Sequence, residues 1–432
     1  MDFSKMKSKI LNRKVKLGIV GFGYVGMPLG VEFAENGVEV TAFETDEKKV
    51  KSINSGRSYV IDIKDSQLAP LVKKGLIRAT GNFSELKKQD SVIICVPTPL
   101  RKSKDPDVSY IVSAARVLAS NLRKGMLVIL ESTTYPGTTN ELVKPILENS
   151  GLKAGRDFYL AFSPERVDPG NKKYGIRNTP KIVGGINKDS GELAVELYSM
   201  AVENVVMVSN CETAEIVKLL ENTFRAVNIA MINELAMMCE KLKLDVWEII
   251  DAAKTKPFGF MPFYPGPGIG GHCIPLDPHY LGWKMKTLNF EPRFIELAGA
   301  INSAMPEHII SRLYRLMSDR KKSLRDAKIL VLGVAYKPDI SDERESPAID
   351  IISLLEKTGA KVFYHDPYIS RIKVAGKVYK DSGFKNLSSY DCVLIVTNHS
   401  NLDYSRLVRE ARLIFDTRNA LRSFKSQKIE KL

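Results

Sequence analysis

Residues 15–43, VKLGIVGFGYVGMPLGVEFAENGVEVTAF, decide the fold. The apolar run 15–20 reads as a buried strand and residues 21–26 as a glycine turn. Residues 27–35 have helical character, ended by Asn36 and Gly37, and 38–43 form the next strand. Strand, glycine turn, helix and strand in this order make a dinucleotide-binding unit. Gly21 permits the tight turn, Gly23 lets the backbone approach a pyrophosphate, and Gly26 lets helix and strand pack closely. The pyrophosphate would rest on helix N–H groups at the positive end of the dipole. Glu44 ends the second strand, with Asp46 two residues later. An acid about 20 residues past the first glycine accepts from the ribose hydroxyls and repels a 2′-phosphate, which favours NAD over NADP. The plainer alternative is a solvated strand end.

Further strand-like runs lie at 91–96, 127–131 and 159–162, with helical patterns at 110–122 and 141–148. This alternation predicts a parallel, doubly wound sheet. From residue 212 to 242 the chain has no Gly or Pro and repeats apolar residues at helical spacing. So long a helix suits a spine between domains or a dimer seam. Residues 258–278 are dense in Gly and Pro and must be a shaped loop. Strand-like runs then return at 328–334, 361–364, 392–396 and 412–415. The expected class is α/β: two Rossmann-like doubly wound domains joined by a helical middle domain. The expected boundaries are 1–208, 209–318 and 319–432.

The chain has 432 residues, 44% hydrophobic and 26% charged, the composition of a globular protein of two or three domains. No run reaches the roughly 18 apolar residues needed to span a bilayer, and the first residues lack an apolar signal core. A cytoplasmic location with no membrane partner is the expectation. The net charge of +14 comes from scattered basic residues without a nucleic-acid-binding motif, so no nucleic-acid partner is expected. Such a field would steer a polyanionic small ligand. Of five cysteines, Cys95 and Cys392 sit in apolar runs, none forms a CxxC pair, and no metal-like Cys/His cluster accompanies them. Neither a disulfide framework nor a metal is expected.

Only Cys273 has unusual surroundings: it follows Gly270–Gly271 and precedes Pro275, with Asp277 on the same loop. Lys218 and Asn222 are spaced i and i+4 on the long helix and face the same way. A thiol nucleophile, a cation and an amide donor are the parts that acyl chemistry requires. From spacing alone they equally suit an inert thiol and an exposed polar face.

Over nearly its whole length the chain resembles the UDP-glucose/UDP-N-acetylhexosamine 6-dehydrogenases. The matching segments are GFGYVG, VPTP (96–99), DPDVSY (105–110), ESTTYPGT (131–138) and SPERVDPGN (163–171). They continue with AEIVKLLENTFRAVNIAMINE (214–234), GPGIGGHCIPLDP (266–278), GVAYKPDISDERESP (333–347) and DTRN (416–419). The resemblance implies an alcohol oxidised to an aldehyde with NAD, addition of the Cys273 thiolate, a second oxidation to a thioester, and hydrolysis to the uronic acid. Lys218 and Asn222 would stabilise the oxyanions, Asp277 would orient water and the lysine, and Thr133 would hold the catalytic water. Glu165 matches the general acid/base of the family.

Cofactor contacts are implied for Gly21, Gly23, Tyr24, Val25, Gly26, Glu44, Pro97, Thr98 and Thr133, and for Arg344 from the C-terminal domain. Substrate contacts are implied for Glu165, Arg166, Val167, Lys218, Asn222, Tyr264, Gly268 and Gly270. Lys337 and Arg418 are similar to residues that grip the nucleotide sugar. The family also implies a homodimer through the middle domain.

Two segments depart from the UDP-glucose pattern. That pattern carries Ser before the nucleophile and Phe-x-Lys-Asp after it, where this chain has His272-Cys273-Ile274-Pro275-Leu276-Asp277. Pro169 also replaces a second acid in the SPER loop. Both segments are closest to the UDP-N-acetylglucosamine branch, and losing a lysine and an aromatic would make room for an acetamido group. UDP-N-acetylmannosamine is the second choice, ahead of UDP-N-acetylgalactosamine or UDP-glucose. His272 either tunes the thiol or supports the loop.

Three other classes compete. A 3-hydroxyacid or 6-phosphogluconate-type dehydrogenase shares the Lys/Asn pair but needs neither Cys273 nor a second Rossmann-like domain. An NAD or nucleotide-sugar sensor predicts damage to the acyl-chemistry residues, all of which are present. A nucleic-acid role rests on charge alone.

Overall fold

The computed structural model describes residues 2–432 except Ile61, 102–104, Pro169, Lys172 and His272. The chain divides into two compact units, residues 1–221 with 279–290, and residues 222–278 with 291–432.

The first unit is built on an eight-stranded sheet: β1 (Lys16–Val20), β2 (Glu39–Phe43), β3 (Ile77–Thr80), β4 (Ser91–Ile94), β5 (Leu127–Leu130), β6 (Tyr159–Phe162), β7 (Lys181–Gly185) and β8 (Val205–Val208). Their order is β3-β2-β1-β4-β5-β6-β7-β8. The first six follow the Rossmann order, and the chain reverses direction across the sheet between β1 and β4, where such folds bind ligands. β4, β5 and β6 are buried along their whole length, as helices on both faces require. One joint departs from the expected all-parallel sheet: β7 runs antiparallel to β6, pairing Ala161 with Gly185 and Phe162 with Gly184. β3, β7 and β8 had no counterpart among the runs read from sequence. β3 and β8 are short and partly exposed, so their apolar signal is weak.

The second unit carries a parallel five-stranded sheet of order β10-β9-β13-β14-β15. Its strands are β9 (Lys328–Leu332), β10 (Lys361–His365), β13 (Cys392–Ile395), β14 (Ile414–Asp416) and β15 (Ile429–Lys431), with a hairpin of β11 (Arg371–Val374) and β12 (Lys377–Lys380) inserted after β10. Here the chain reverses between β9 and β13. The two sheets bear out the expectation of two doubly wound modules.

The glycine- and proline-free stretch is one helix, Cys211–Leu242, which begins in the first unit and continues in the second. A second long helix, Arg293–Asp319, follows it. The helix expected at 141–148 begins instead as a π-turn over Thr138–Val143 and becomes regular at Lys144–Glu148. Loop 258–278 has no helix or strand among its described residues before Asp277. Asp277 itself is not on the loop but is the first residue of the helix Asp277–Thr287. No described helix is long and apolar enough to cross a membrane.

Candidate active site

The glycine turn meets the steric demands of a dinucleotide. Gly21 has φ +87°, and a Cβ there would stand 2.6 Å from the Cys95 carbonyl oxygen. A Cβ on Gly26 would run into the Gly21 carbonyl, so the helix Gly26–Glu35 can close on β1 only without one. A Cβ on Gly23 would meet nothing within 4 Å, which leaves the backbone approachable from outside. No side chain caps the N-terminus of this helix, and the Met27 N–H donates to the Gly23 carbonyl at 3.0 Å within the turn. Tyr24 beside the turn is exposed, and Val25 precedes the helix.

Glu44 stands directly beside the turn. Its Oε2 accepts the Phe22 N–H at 3.3 Å and its Oε1 the Thr45 N–H at 3.0 Å. Asp46 caps the next helix through the Lys48 N–H at 2.8 Å. The residues present at this turn therefore fit NAD.

Beyond β4, the Thr98 carbonyl accepts the Tyr280 hydroxyl, and Pro97 precedes it in the same loop. Ser132, after β5, donates to the Val96 carbonyl at 2.8 Å and ties these loops together. Next along the chain, Thr133 Oγ1 accepts from the Lys218 ammonium. Four residues on, Asn222 Nδ2 donates to Asp277 Oδ2 at 2.6 Å. All three of Lys218, Asn222 and Asp277 are buried. They thus have fixed partners instead of the exposed polar face that spacing alone allowed.

Glu165 leaves β6 in a coil. Its Oε1 accepts the N–H groups of Arg166 and Val167 at 2.7 and 2.6 Å, and its Oε2 accepts Lys181 Nζ at 3.1 Å. Burial alone would raise this carboxyl, but Lys181 and the Val167 amide outweigh it and hold Glu165 below its ordinary value. Arg166 forms a two-pronged pair with Glu221, at 3.2 and 2.5 Å.

Cys273 is the exposed one of the five cysteines; the other four are buried. Its loop is fastened at several points within the second unit. Gly266 N–H donates to Asn233 Oδ1 at 2.9 Å, and Asn233 in turn donates to Asn302 at 2.9 Å. Gly268 has φ +131°, packed by Pro347, and a Cβ on Gly270 would stand 2.7 Å from Tyr336. The Gly271 N–H donates to the Arg344 carbonyl at 3.3 Å. The Cys273 carbonyl accepts the N–H groups of Leu276 and Asp277, at 3.1 and 2.8 Å, which turns the loop into the following helix. Tyr264 stacks on Trp247 at 6.1 Å between ring centroids. His272 and Pro169, to which the sequence reading gave roles, lie outside the described residues.

The remaining candidates stand beyond the carboxyl ends of the second sheet's strands. Lys337 follows β9, with its ammonium 5.7 Å from the centroid of the Tyr336 ring. Arg418 follows β14; its Nε donates to the Val396 carbonyl at 2.9 Å. Burial lowers its guanidinium to about 10, so it remains a cation at neutral pH. The Asp366 carboxylate organises this edge, accepting the Val334 and Ala335 N–H groups and lying 2.9 Å from His399 Nε2. Arg344 holds Asp342 through two contacts of 2.8 and 2.6 Å.

Sequence reasoning missed Glu131, Lys181 and Tyr198, the buried group behind Glu165, and Glu215 under the π-turn. Glu215 accepts from Gly137 N, Thr139 N and Thr139 Oγ1. Carboxylates inside apolar runs, LVILE and CETAEIV, were the available signal.

Three family models match in order: the NAD binding domain of the UDP-glucose/GDP-mannose dehydrogenase family over residues 15–202, its central domain over 212–304 and its UDP binding domain over 330–423. The chain is similar to the UDP-N-acetyl-D-mannosamine dehydrogenase of Pyrococcus horikoshii, with 34% identity covering 94% of this chain and 96% of that one. It is also similar to the UDP-N-acetyl-D-glucosamine 6-dehydrogenase of Pseudomonas aeruginosa, with 33% identity over 90% and 91% of the two chains. A solved structure of the UDP-D-ManNAc dehydrogenase from Pyrococcus horikoshii superposes with a TM-score of 0.88 at 34% identity, covering 96% and 98%. The chain belongs to the UDP-glucose/GDP-mannose dehydrogenase family.

Proposed function

We propose that this NAD-dependent oxidoreductase converts the C6 hydroxymethyl of a UDP-N-acetylhexosamine to a carboxylate, with Cys273 as the covalent nucleophile. The observation that carries this reading is the exposed thiol of Cys273 on a loop clamped by glycine contacts, one turn before Asp277, whose carboxylate is held by Asn222. Bound at the glycine turn, NAD supplies the hydride acceptor, twice for each sugar.

The remaining work falls to this chain's side chains. Glu165 takes the proton of the C6 alcohol as the aldehyde forms. The Cys273 thiolate adds to the aldehyde carbon, and Lys218 and Asn222 donate to the oxygen that carries the charge. Oxidation of that adduct leaves a thioester. Water, held by Thr133 and Asp277, attacks it and releases the carboxylate and the thiolate. The balance is one alcohol and one water giving one carboxylate, two hydrides and three protons. Lys337 and Arg418 serve as the cations for the nucleotide diphosphate, Arg418 through its planar fork.

The SPER and Cys273 segments favour the gluco epimer, while identities of 34% to a mannosamine dehydrogenase and 33% to a glucosamine dehydrogenase support the two epimers equally. Incubation with NAD and each of UDP-N-acetylglucosamine, UDP-N-acetylmannosamine, UDP-N-acetylgalactosamine and UDP-glucose decides between them. Two NADH per molecule of an N-acetylhexosamine are expected. One NADH per sugar would remove the thioester from the account.

A homodimer belongs to the same proposal. Ile216, Leu220, Phe224, Met231, Met238 and Leu242 are exposed along the helix Cys211–Leu242, spaced four and seven apart. A second copy of the chain would bury this apolar stripe.

A further inference from the structure

Behind Glu165 lies a buried charged group that the reaction as described does not use. Because β7 runs antiparallel to β6, its first residue, Lys181, comes back beside the coil in which Glu165 leaves β6. The Lys181 ammonium donates to Glu165 Oε2 at 3.1 Å and also to Glu131, which follows β5. The second oxygen of Glu131 accepts the Tyr198 hydroxyl at 2.5 Å, and the Tyr198 ring lies 5.1 Å from the ammonium. The Lys181 and Glu131 side chains are only 5% and 0% exposed, so this cation is not available to a ligand in solvent. Two carboxylates and an aromatic face surround this buried ammonium, and no surface role explains the desolvation it costs.

We propose that Lys181 is a positioning residue for Glu165: held from behind by Glu131 and Tyr198, it fixes Oε2 while the Arg166 and Val167 amides fix Oε1. This rests on the reading of Glu165 as the group that takes the alcohol proton. The carboxylate is thereby delivered as an anion in one orientation, a base at the start of the cycle and an acid only after it has accepted a proton. The ionisable groups facing it are Lys181, Glu131 and Lys218, with Cys95 and Tyr198 beside Glu131. Without Lys181, two carboxylates would share a buried site, and one would hold a proton at neutral pH.

The test uses the full-length protein as wild type, Lys181→Met, and the double variant Glu131→Gln with Lys181→Met, which removes one charge of each sign and protects against misfolding. The Glu165 carboxyl is titrated by infrared difference spectroscopy, each protein against its own Glu165→Gln partner. We expect its midpoint to rise by about one unit or more in Lys181→Met, as loss of an adjacent cation requires, and to rise by less in the double variant, which also loses the Glu131 anion. The acidic limb of kcat/KM should move to higher pH by the same amount, with the KM for NAD unchanged. An unmoved Glu165 midpoint in a double variant that melts as wild type would overturn the proposal. The titration needs no turnover. Failure of the acid/base reading would be seen separately, as a Glu165→Gln protein with wild-type kcat and pH profile.

Discussion

Asn222 holds Asp277 through a 2.6 Å hydrogen bond, joining the long helix Cys211–Leu242 to the first residue of the helix that follows the Cys273 loop. The pair sets where that helix begins, and through the Asp277 N–H it also fixes the Cys273 carbonyl. Asn222→Ala removes a donor from a buried carboxylate, which costs about 1–3 kcal/mol. It should also lower kcat by about 10²–10³-fold through the lost oxyanion donor. Thermal melting and steady-state NADH formation read the two effects. A variant that melts lower but keeps full kcat would confine Asn222 to a structural role.

The glycine turn makes a steric prediction. Gly26→Ala places a methyl against the Gly21 carbonyl, forcing apart helix Gly26–Glu35 and β1. Overpacking of this kind costs about 1–3 kcal/mol. NAD affinity by titration calorimetry should fall at least tenfold, because the displaced helix end is the expected pyrophosphate seat. Gly23→Ala meets no neighbour within 4 Å and should fold as wild type while weakening NAD. Unchanged NAD affinity in both would move the cofactor elsewhere.

Glu215 predicts a pH dependence of stability. Burial pushes its carboxyl up to about 7, in spite of the Thr139 hydroxyl and the Thr139 and Gly137 amides that favour the anion. The folded value lies above that of the unfolded chain, so the folded state holds the extra proton. This contribution is fully present below the unfolded value of about 4.5 and is lost as pH rises through about 7. Denaturant unfolding of wild type and Glu215→Gln at pH 5 and pH 8 measures it. The wild type should lose more stability between the two pH values than the variant does; an equal loss would contradict the assignment.

The apolar stripe on the long helix predicts assembly. Met231→Glu with Met238→Glu places charges on two of its exposed positions. Light scattering should show a dimer for wild type and a monomer for the double variant. A monomeric wild type would leave the stripe to another partner.

What the sequence revealed was local. The glycine turn and its flanking strands were readable because each step of that unit lies next to the one before it. The segment 212–242 was readable because nothing within it breaks a helix. The antiparallel joint of β7 was not, since the direction of a short apolar strand is set by the chain's path and not by its residues. The Lys181 group was hidden for the same reason: its partners Glu131 and Glu165 lie 50 and 16 residues away in sequence. A lysine opening a strand, KIVGG, looks like any solvated strand end until a neighbouring strand buries it. Pro275 and Pro278 mark irregular chain and point to a loop position for Asp277, yet proline is well tolerated in a helix's first turn.

The most direct test of the central claim is the NADH yield and uronic acid formed by Cys273→Ala with NAD and a UDP-N-acetylhexosamine that the wild type oxidises. The account predicts that the variant binds NAD as tightly as wild type but forms no uronic acid, with turnover at least a thousandfold lower, on the order of what losing a covalent nucleophile costs. Two NADH per sugar at a rate within tenfold of wild type would contradict it.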